Sequence, residues 1–574
     1  MFAKQWSSGL HGGVWLILLL FFPALISAGS LVTRDDFICY DTTANFVSNT
    51  YDDVAIDDSG RISQTGCRWV SGGPFTWDLF YEFNRFDRFG NQSQPVTIFL
   101  PDTIGQDSVW LPESRLECYS NNLGVTFIPG TARFDTTNFP VRAFTYLFGV
   151  DGQSLQEPRC FDCDVPYDSS DLRGQFYYGG INNSGVVGAV WSAGMLVPPG
   201  HESLFVRLYY PEVDSLSEVL QPTALPLPLP HECVYRNPHL GIADDGSFVV
   251  AWVDVPYYRT FYVIYNADLT QRTPVMIADC IGDTSNCAPH AMQMDLAMEA
   301  DGDFYIAWYG PYIGESDSYT YSQMWVRGFN ADGSPKYDPL LVNDVDSLYV
   351  SGGEEITPSV ACDDSGNVLV VLSDARDYPG VNPYGETYRN VYAQKIDPEG
   401  QLIGPNYRVN NFLGHSGWFG RNIACEMNNL GQAVILWRCV NTDYRVWAQL
   451  MPYHDIGTFI PGDINLDFSC NVNDLVYFVD HLFFDTTYPF WPRDLIDLNG
   501  DGANGNVVDL VYVVDYLFFG GPEPVTPYEG VRQPPPHYSS ASGDAAQDPQ
   551  DLAPRMDVDQ LHRADSAWAW PFGK

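Results

Sequence analysis

From about residue 50 to residue 453, short runs of alternating hydrophobic and polar positions are broken at a regular interval by one kind of turn. The turn reads Asp or Asn, any residue, then Gly. Its glycines are Gly60, Gly124, Gly185, Gly246, Gly302, Gly366 and Gly431, spaced 64, 61, 61, 56, 64 and 65 residues apart. Two residues before each Gly stand Asp58, Asn122, Asn183, Asp244, Asp364 and Asn429; only Ala300 departs. This suits a hairpin whose last turn residue takes left-handed backbone. The residues at minus six and minus four are mostly apolar, as in Val54/Ile56, Leu240/Ile242 and Val360/Cys362, and this period of two predicts a strand. A second turn follows in most units, at Gly90, Gly152, Gly333 and Gly400, and then a last apolar stretch such as 96–100 or 339–342.

Two hairpins in each unit, seven times over, predict a mainly β chain: a seven-bladed β-propeller of four-stranded blades over residues 29–458. The seventh unit stops near Tyr453 without a fourth strand, and residues 36–41 (DFICYD) have strand character without a partner. The expectation is that this early segment completes blade seven and closes the ring, which removes an open sheet edge. Six residues after the turn glycine come Gly66, Gly130, Trp191, Trp252, Trp308, Leu372 and Trp437. These tryptophans suit carbohydrate stacking or the filling of wedges between blades, and the second reading is preferred. The Asp-to-Trp spacing, eight residues from Asp244 to Trp252, does not match the five of a sialidase Asp box. Units four to seven resemble the blade repeats of exported bacterial proteins, as in NPHLGIADDGSFVVAW and MDLAMEADGDFYIAW.

Near the C-terminus the period changes to a helical one and a segment is duplicated. Residues 474–484 read DLVYFVDHLFF and residues 509–519 read DLVYVVDYLFF. The predicted apolar stripes are Leu475, Val479, Leu482, Phe483 and Leu510, Val514, Leu517, Phe518. Alternating oxygen-bearing residues precede each copy: Asp463, Asn465, Asp467, Ser469 and Asn471 lead to Asp474, and Asp497, Asn499, Asp501 and Asn506 lead to Asp509. A hard dication wants six to eight oxygens, and this spacing wraps one loop around Ca2+, so two calcium sites are expected. Residues 459–522 resemble a type I dockerin. That resemblance implies a small all-α calcium module that docks onto a cohesin-like partner, often in polysaccharide degradation. Phe468 departs from the family's loop glycine, and the second loop is one residue longer than the first.

Charge and cysteine content narrow the function further. The formal net charge is −43, which excludes nucleic acid and anionic membrane as partners. Residues 1–28 read as a secretory signal, with Lys4, an apolar run over 14–26 and small residues 27–29, so a secreted or cell-surface location is expected with no membrane span after its removal. Among 12 cysteines, Cys280 and Cys287 are placed to close one loop, Cys160 and Cys163 form a CxxC with no second metal-binding pair, and Cys118 and Cys425 share one repeat position as small core residues. Residues 523–574, rich in Pro, Asp and Ala, are expected to be disordered.

Propellers take ligands where the innermost strands begin. Alignment to the turn glycine puts Asp53, Glu117, Tyr178, His239, Asp295 and, slightly earlier, Arg421 at that mouth. No sharp catalytic constellation accompanies them. The leading expectation is therefore a non-catalytic ligand-binding or display propeller, tethered by its dockerin-like module, with a polysaccharide or cell-surface glycan as a possible ligand. The alternative is a carbohydrate-active enzyme of the O-glycosyl hydrolase class, in which two mouth carboxylates act about 5–10 Å apart. A third reading has the module packing on its own propeller.

Overall fold

The computed structural model describes residues 37–40, 52–73, 76–86, 96–98, 117–133, 141–165, 177–194, 202–222, 235–254, 259–280, 291, 293–311, 321–344, 348–349, 358–374, 390–410, 423–438, 446–452, 462, 470, 472–484, 498–499, 506–522 and 524. The signal segment, Gly90 and most of the tail lie outside them. Seven antiparallel sheets form the blades of a propeller. Their innermost strands are Asp52–Ile56, Tyr119–Ser120, Tyr177–Ile181, Tyr235–Ile242, Gln293–Met298, Ser359–Cys362 and Ile423–Met427. Six blades take four consecutive strands, and blade 5 adds Leu348–Tyr349. Blade 7 is completed by Phe37–Tyr40, which pairs antiparallel with Val446–Pro452, so the early segment does close the ring.

The repeated turn behaves as its sequence demands. All seven glycines take left-handed backbone, with φ from +71° to +101°, where a side chain would be strained. The residue two before the Gly has a second task that connects blades. The Asn122 N–H donates to Asn183 Oδ1 at 3.0 Å, the Asn183 N–H to Asp244 Oδ1 at 3.0 Å, the Ala300 N–H to Asp364 Oδ1 at 2.8 Å and the Asp364 N–H to Asn429 Oδ1 at 2.9 Å. The Asn429 N–H donates to Asp58 Oδ1 at 2.9 Å and carries the chain of bonds across the closure. Ala300 has no side-chain oxygen to offer, and there the Asp244 N–H bonds to the Ala300 backbone carbonyl at 2.8 Å instead. The exception in the repeat is thus tolerated because the backbone supplies the missing acceptor.

The apolar core is distributed between blades, with one buried cluster at each of the seven interfaces. Trp191, Trp252, Trp308 and Trp437 are buried in these clusters, each against the preceding blade. They are wedge fillers, and none presents a stacking platform to solvent. Cys118 and Cys425 are buried and free, as expected of small core residues. Cys160 and Cys163 form a disulfide, and Cys280 is also disulfide-bonded.

A buried Asp or Asn recurs just after the fourth strand. Asn343 Oδ1 accepts from the Met324 N–H at 2.9 Å, and Asn410 Oδ1 accepts from the Val391 N–H at 2.8 Å. Asp279 holds the equivalent place in blade 4. It is fully buried, and burial pushes its carboxyl up to about 6 despite Arg259 at 3.4 Å. Between about pH 4 and pH 6 the folded chain therefore keeps a proton that the unfolded chain has released, so this residue's contribution to stability falls as pH rises through that window. Asp279→Asn, the residue used in blades 5 and 6, is expected to stabilise the chain at pH 7 by about 1–3 kcal/mol and to leave it unchanged near pH 4. Urea midpoints at the two pH values check this.

The paired helices are Val472–Phe484 and Val507–Phe519. Phe478, Val513 and Leu498 form their buried centre, with Leu475, Leu482, Leu510 and Leu517 packed around it. The predicted stripe is corrected at its end: Phe483 and Phe518 are exposed, and the core centres on one of the two positions where the copies differ, Phe478 against Val513. Among the described residues no helix is long and apolar enough to cross a membrane.

Candidate active site at the channel mouth

Of the residues expected at the mouth, Asp53, Tyr178, His239 and Asp295 lie on inner strands and Glu117 just before one; Arg421 lies outside the described residues. Several of these side chains first serve the ring. Asp53 Oδ2 accepts the Cys118 N–H of the next blade at 2.7 Å, and Asp295 Oδ2 accepts the Val360 N–H of its next blade at 2.9 Å. In blade 6 the same bond is made by a neutral group, Ser359 Oγ, to the Cys425 N–H at 3.0 Å. An uncharged hydroxyl meets this structural need. The carboxylates at the other two positions thus bring charge that the joint between blades does not require.

The mouth is wired laterally. His239 Nδ1 lies 3.3 Å from Asp295 Oδ1, which also accepts the Leu296 N–H at 2.8 Å. The His239 ring packs on that of Tyr178, with centroids 4.4 Å apart. The Tyr119 hydroxyl donates to Glu117 and accepts the Gly179 N–H at 3.1 Å. Burial first, then the Glu117 charge, push the Tyr119 phenol well above its ordinary range.

Sequence reasoning missed one residue, Glu426 on the inner strand of blade 7. At minus five from the turn glycine, five of the seven blades carry Gly or Ala: Ala55, Gly180, Gly241, Ala297 and Ala361. Packing gives the reason. A Cβ at Gly180 would lie 2.7 Å from the Leu240 carbonyl oxygen, and one at Gly241 would lie 2.8 Å from the Met298 Cβ. Tyr119 and Glu426 break that column, Glu426 with a carboxyl, and this was the available signal. It keeps some exposed surface yet is enclosed by protein, and its carboxyl is held well above the usual carboxylate range. Burial is the main cause, followed by the charges of Asp53 and Asp295 and, more weakly, Glu117. The result is a carboxyl that holds its proton more tightly than usual, with three further carboxyl groups near enough to act on it.

Of the expected calcium ligands, Asp463, Asn465, Asp467, Ser469, Asn471, Asp497 and Asp501 lie outside the described residues. Asp474 and Asp509 are fully buried in the first turns of their helices. Asp509 Oδ1 accepts the N–H groups of Leu498 at 3.0 Å and Asn499 at 3.4 Å, and its Oδ2 accepts that of Asn506 at 3.0 Å. Asn506 caps the second helix through Oδ1, which accepts the Val508 N–H at 2.6 Å. Its side-chain oxygen is therefore engaged in capping.

No protein-family model matches the chain, and no curated protein matches it by sequence. Solved structures share its fold. A Penicillium chrysogenum alpha-L-arabinanase complexed with arabinobiose is similar over 74% of this chain and 99% of its own, at 10% identity and a TM-score of 0.42. The polysaccharide lyase Uly1 is similar over 75% and 95%, at 10% identity and a TM-score of 0.39. A PL25 ulvan lyase bound to -[GlcA(1-4)Rha3S]- is similar over 73% and 96%, at 8% identity and a TM-score of 0.41. Likeness at this level is one of fold. The expectation of a non-catalytic display propeller is nonetheless corrected. The propellers found are an arabinanase and two polysaccharide lyases.

Proposed function

We propose that this chain is a carbohydrate-active enzyme of the O-glycosyl hydrolase class, working at the mouth of its propeller channel. The observation that carries the reading is the place of Glu426, a carboxyl at an inner-strand position that is Gly or Ala in five of the seven blades, held well above the usual carboxylate range by burial and by the charges of Asp53 and Asp295. Cleaving a glycosidic bond needs one carboxylic acid to protonate the leaving oxygen and a second carboxylate to act as base or nucleophile. Environments that push neighbouring carboxyl groups apart in pKa assign those two roles. Glu426 takes the acid role. Asp53 and Asp295, each accepting a backbone N–H, are suited to the ionised one. His239 and Tyr119 position the carboxylates they touch. The test is product release by the full chain from a panel of neutral and charged polysaccharides: new reducing ends from at least one support the reading, and none from any contradicts it.

The proposal extends to export and attachment. The signal-like residues 1–28 would send the chain out of the cell, and the dockerin-like residues 459–522 would hold two Ca2+ and dock on a cohesin-like partner. Two buried carboxylates at equivalent helix starts, Asp474 and Asp509, fit the closing position of such loops. Metal would hold loops that the small helical core alone does not support. Chelation is expected to remove the helical part of the circular dichroism signal and leave the strand part intact. A helical signal indifferent to chelator contradicts the calcium assignment.

A further inference from the structure

Neither the ring nor the acid–base reading uses Asn237. It sits on the inner strand of blade 4, where the pairing register shifts between Arg236 and His239. Its φ is +46°, a left-handed backbone that is unfavourable for a residue with a side chain, and the Pro238 that follows disfavours helical backbone further. Its side chain is buried, with 5% exposed. The Tyr178 hydroxyl donates to Asn237 Oδ1 at 3.1 Å and orients the amide. Nδ2 is then a buried donor with no acceptor among the described residues. Buried amide donors are almost always satisfied, so an oriented, unsatisfied one is a group that waits for a ligand. Tyr178 joins it to the site, because the same ring packs on His239, and His239 reaches Asp295.

We propose that Asn237 Nδ2 is a binding group for an uncharged glycosyl unit, donating to a hydroxyl oxygen of a neutral sugar in the mouth. The inference rests on the mouth being a glycan site and names the class of glycan. The rest of the lining agrees in chemistry. Carboxylates at Asp53, Glu117 and Asp295 accept hydrogen bonds from sugar hydroxyls, and the same charges repel a uronate or sialate. A site that rejects by like charge discriminates through repulsion as much as through attraction. Asn237 supplies what a purely acidic lining lacks, a neutral donor for a hydroxyl oxygen.

The experiment is calorimetric titration of the full chain with arabino- and xylo-oligosaccharides, and with oligogalacturonate of the same length. The wild type is expected to bind at least one neutral oligosaccharide about tenfold more tightly than the charged one. Asn237→Asp keeps the size and the acceptor for Tyr178 but removes the donor, and affinity for the neutral ligand should fall about tenfold, the worth of one good hydrogen bond. Asn237→Gly should lose affinity equally while unfolding at no lower temperature, because glycine relieves the backbone. A purely structural residue would not separate affinity from stability in this way. Oligogalacturonate bound as tightly as the neutral ligands, unchanged affinity in both variants, or binding of no oligosaccharide would overturn the inference. Neutral glycans bound through Asn237 but never cleaved would overturn the catalytic reading alone.

Discussion

Glu426→Gln is expected to leave the ring folded and remove nearly all glycan turnover, a loss of roughly 10²–10⁴-fold, the usual worth of a positioned general acid. Glutamine has the same length and stays neutral, as the protonated acid is, so packing between blades 7 and 1 should survive. It cannot give up a proton, so the step that frees the leaving oxygen loses its donor. A polysaccharide bound with unchanged affinity but not cleaved is the expected signature. Minus five holds Gly or Ala in five of the seven inner strands, and in blade 7 the chain puts a carboxyl there with three others near it.

The largest expected effect on stability is at Arg327 in blade 5. Its guanidinium is buried, with Nη1 donating to the carbonyls of Ala278 at 3.0 Å and Cys280 at 2.6 Å in blade 4, and Nε to Tyr337 at 3.0 Å. It also lies over the Phe329 ring, 5.5 Å from the centroid. Arg207 makes the same clamp in blade 3, donating to Phe161 at 2.8 Å beside the Cys160–Cys163 disulfide. Burial lowers the pKa of Arg327 but an arginine stays cationic. Arg327→Ala leaves three carbonyls without this donor and a void between blades, and is expected to cost about 3–5 kcal/mol. The urea midpoint of the full chain measures it, and a loss below about 1 kcal/mol would mean that water replaces the clamp.

Much of the fold was legible because a propeller repeats its constraints. A left-handed turn residue must be glycine, a strand must alternate, and each recurs seven times, so Gly60 to Gly431 and the closing segment near Ile38 could be read directly. Side chains that answer to a neighbouring blade were harder to read. Asp58 and its equivalents looked like turn residues, yet their oxygens also tie one blade to the next, and only the structure explains why Ala300 is acceptable. At the mouth, the residues at minus seven rest on alignment to the turn glycine. Glu426 stands in a different column, at minus five, where only the comparison of all seven blades sets it apart. Asn237 left no mark beyond an Asn-Pro pair, since its interest lies in an unsatisfied atom and a backbone angle. In the helices, Phe478 and Val513 fall outside the expected stripes, yet they form the buried centre as a large residue against a smaller one.

The most direct test of the account is the pH dependence of product release by the wild type and by Glu426→Gln on the same neutral polysaccharide. The wild type should stay active while Glu426 keeps its proton, past the ordinary glutamic acid range of about 4.3, and decline as pH rises through the raised pKa. The variant should be slow throughout and lack that alkaline decline. A variant as active as the wild type, with the same alkaline limb, would contradict the assignment of Glu426 as the acid of this site.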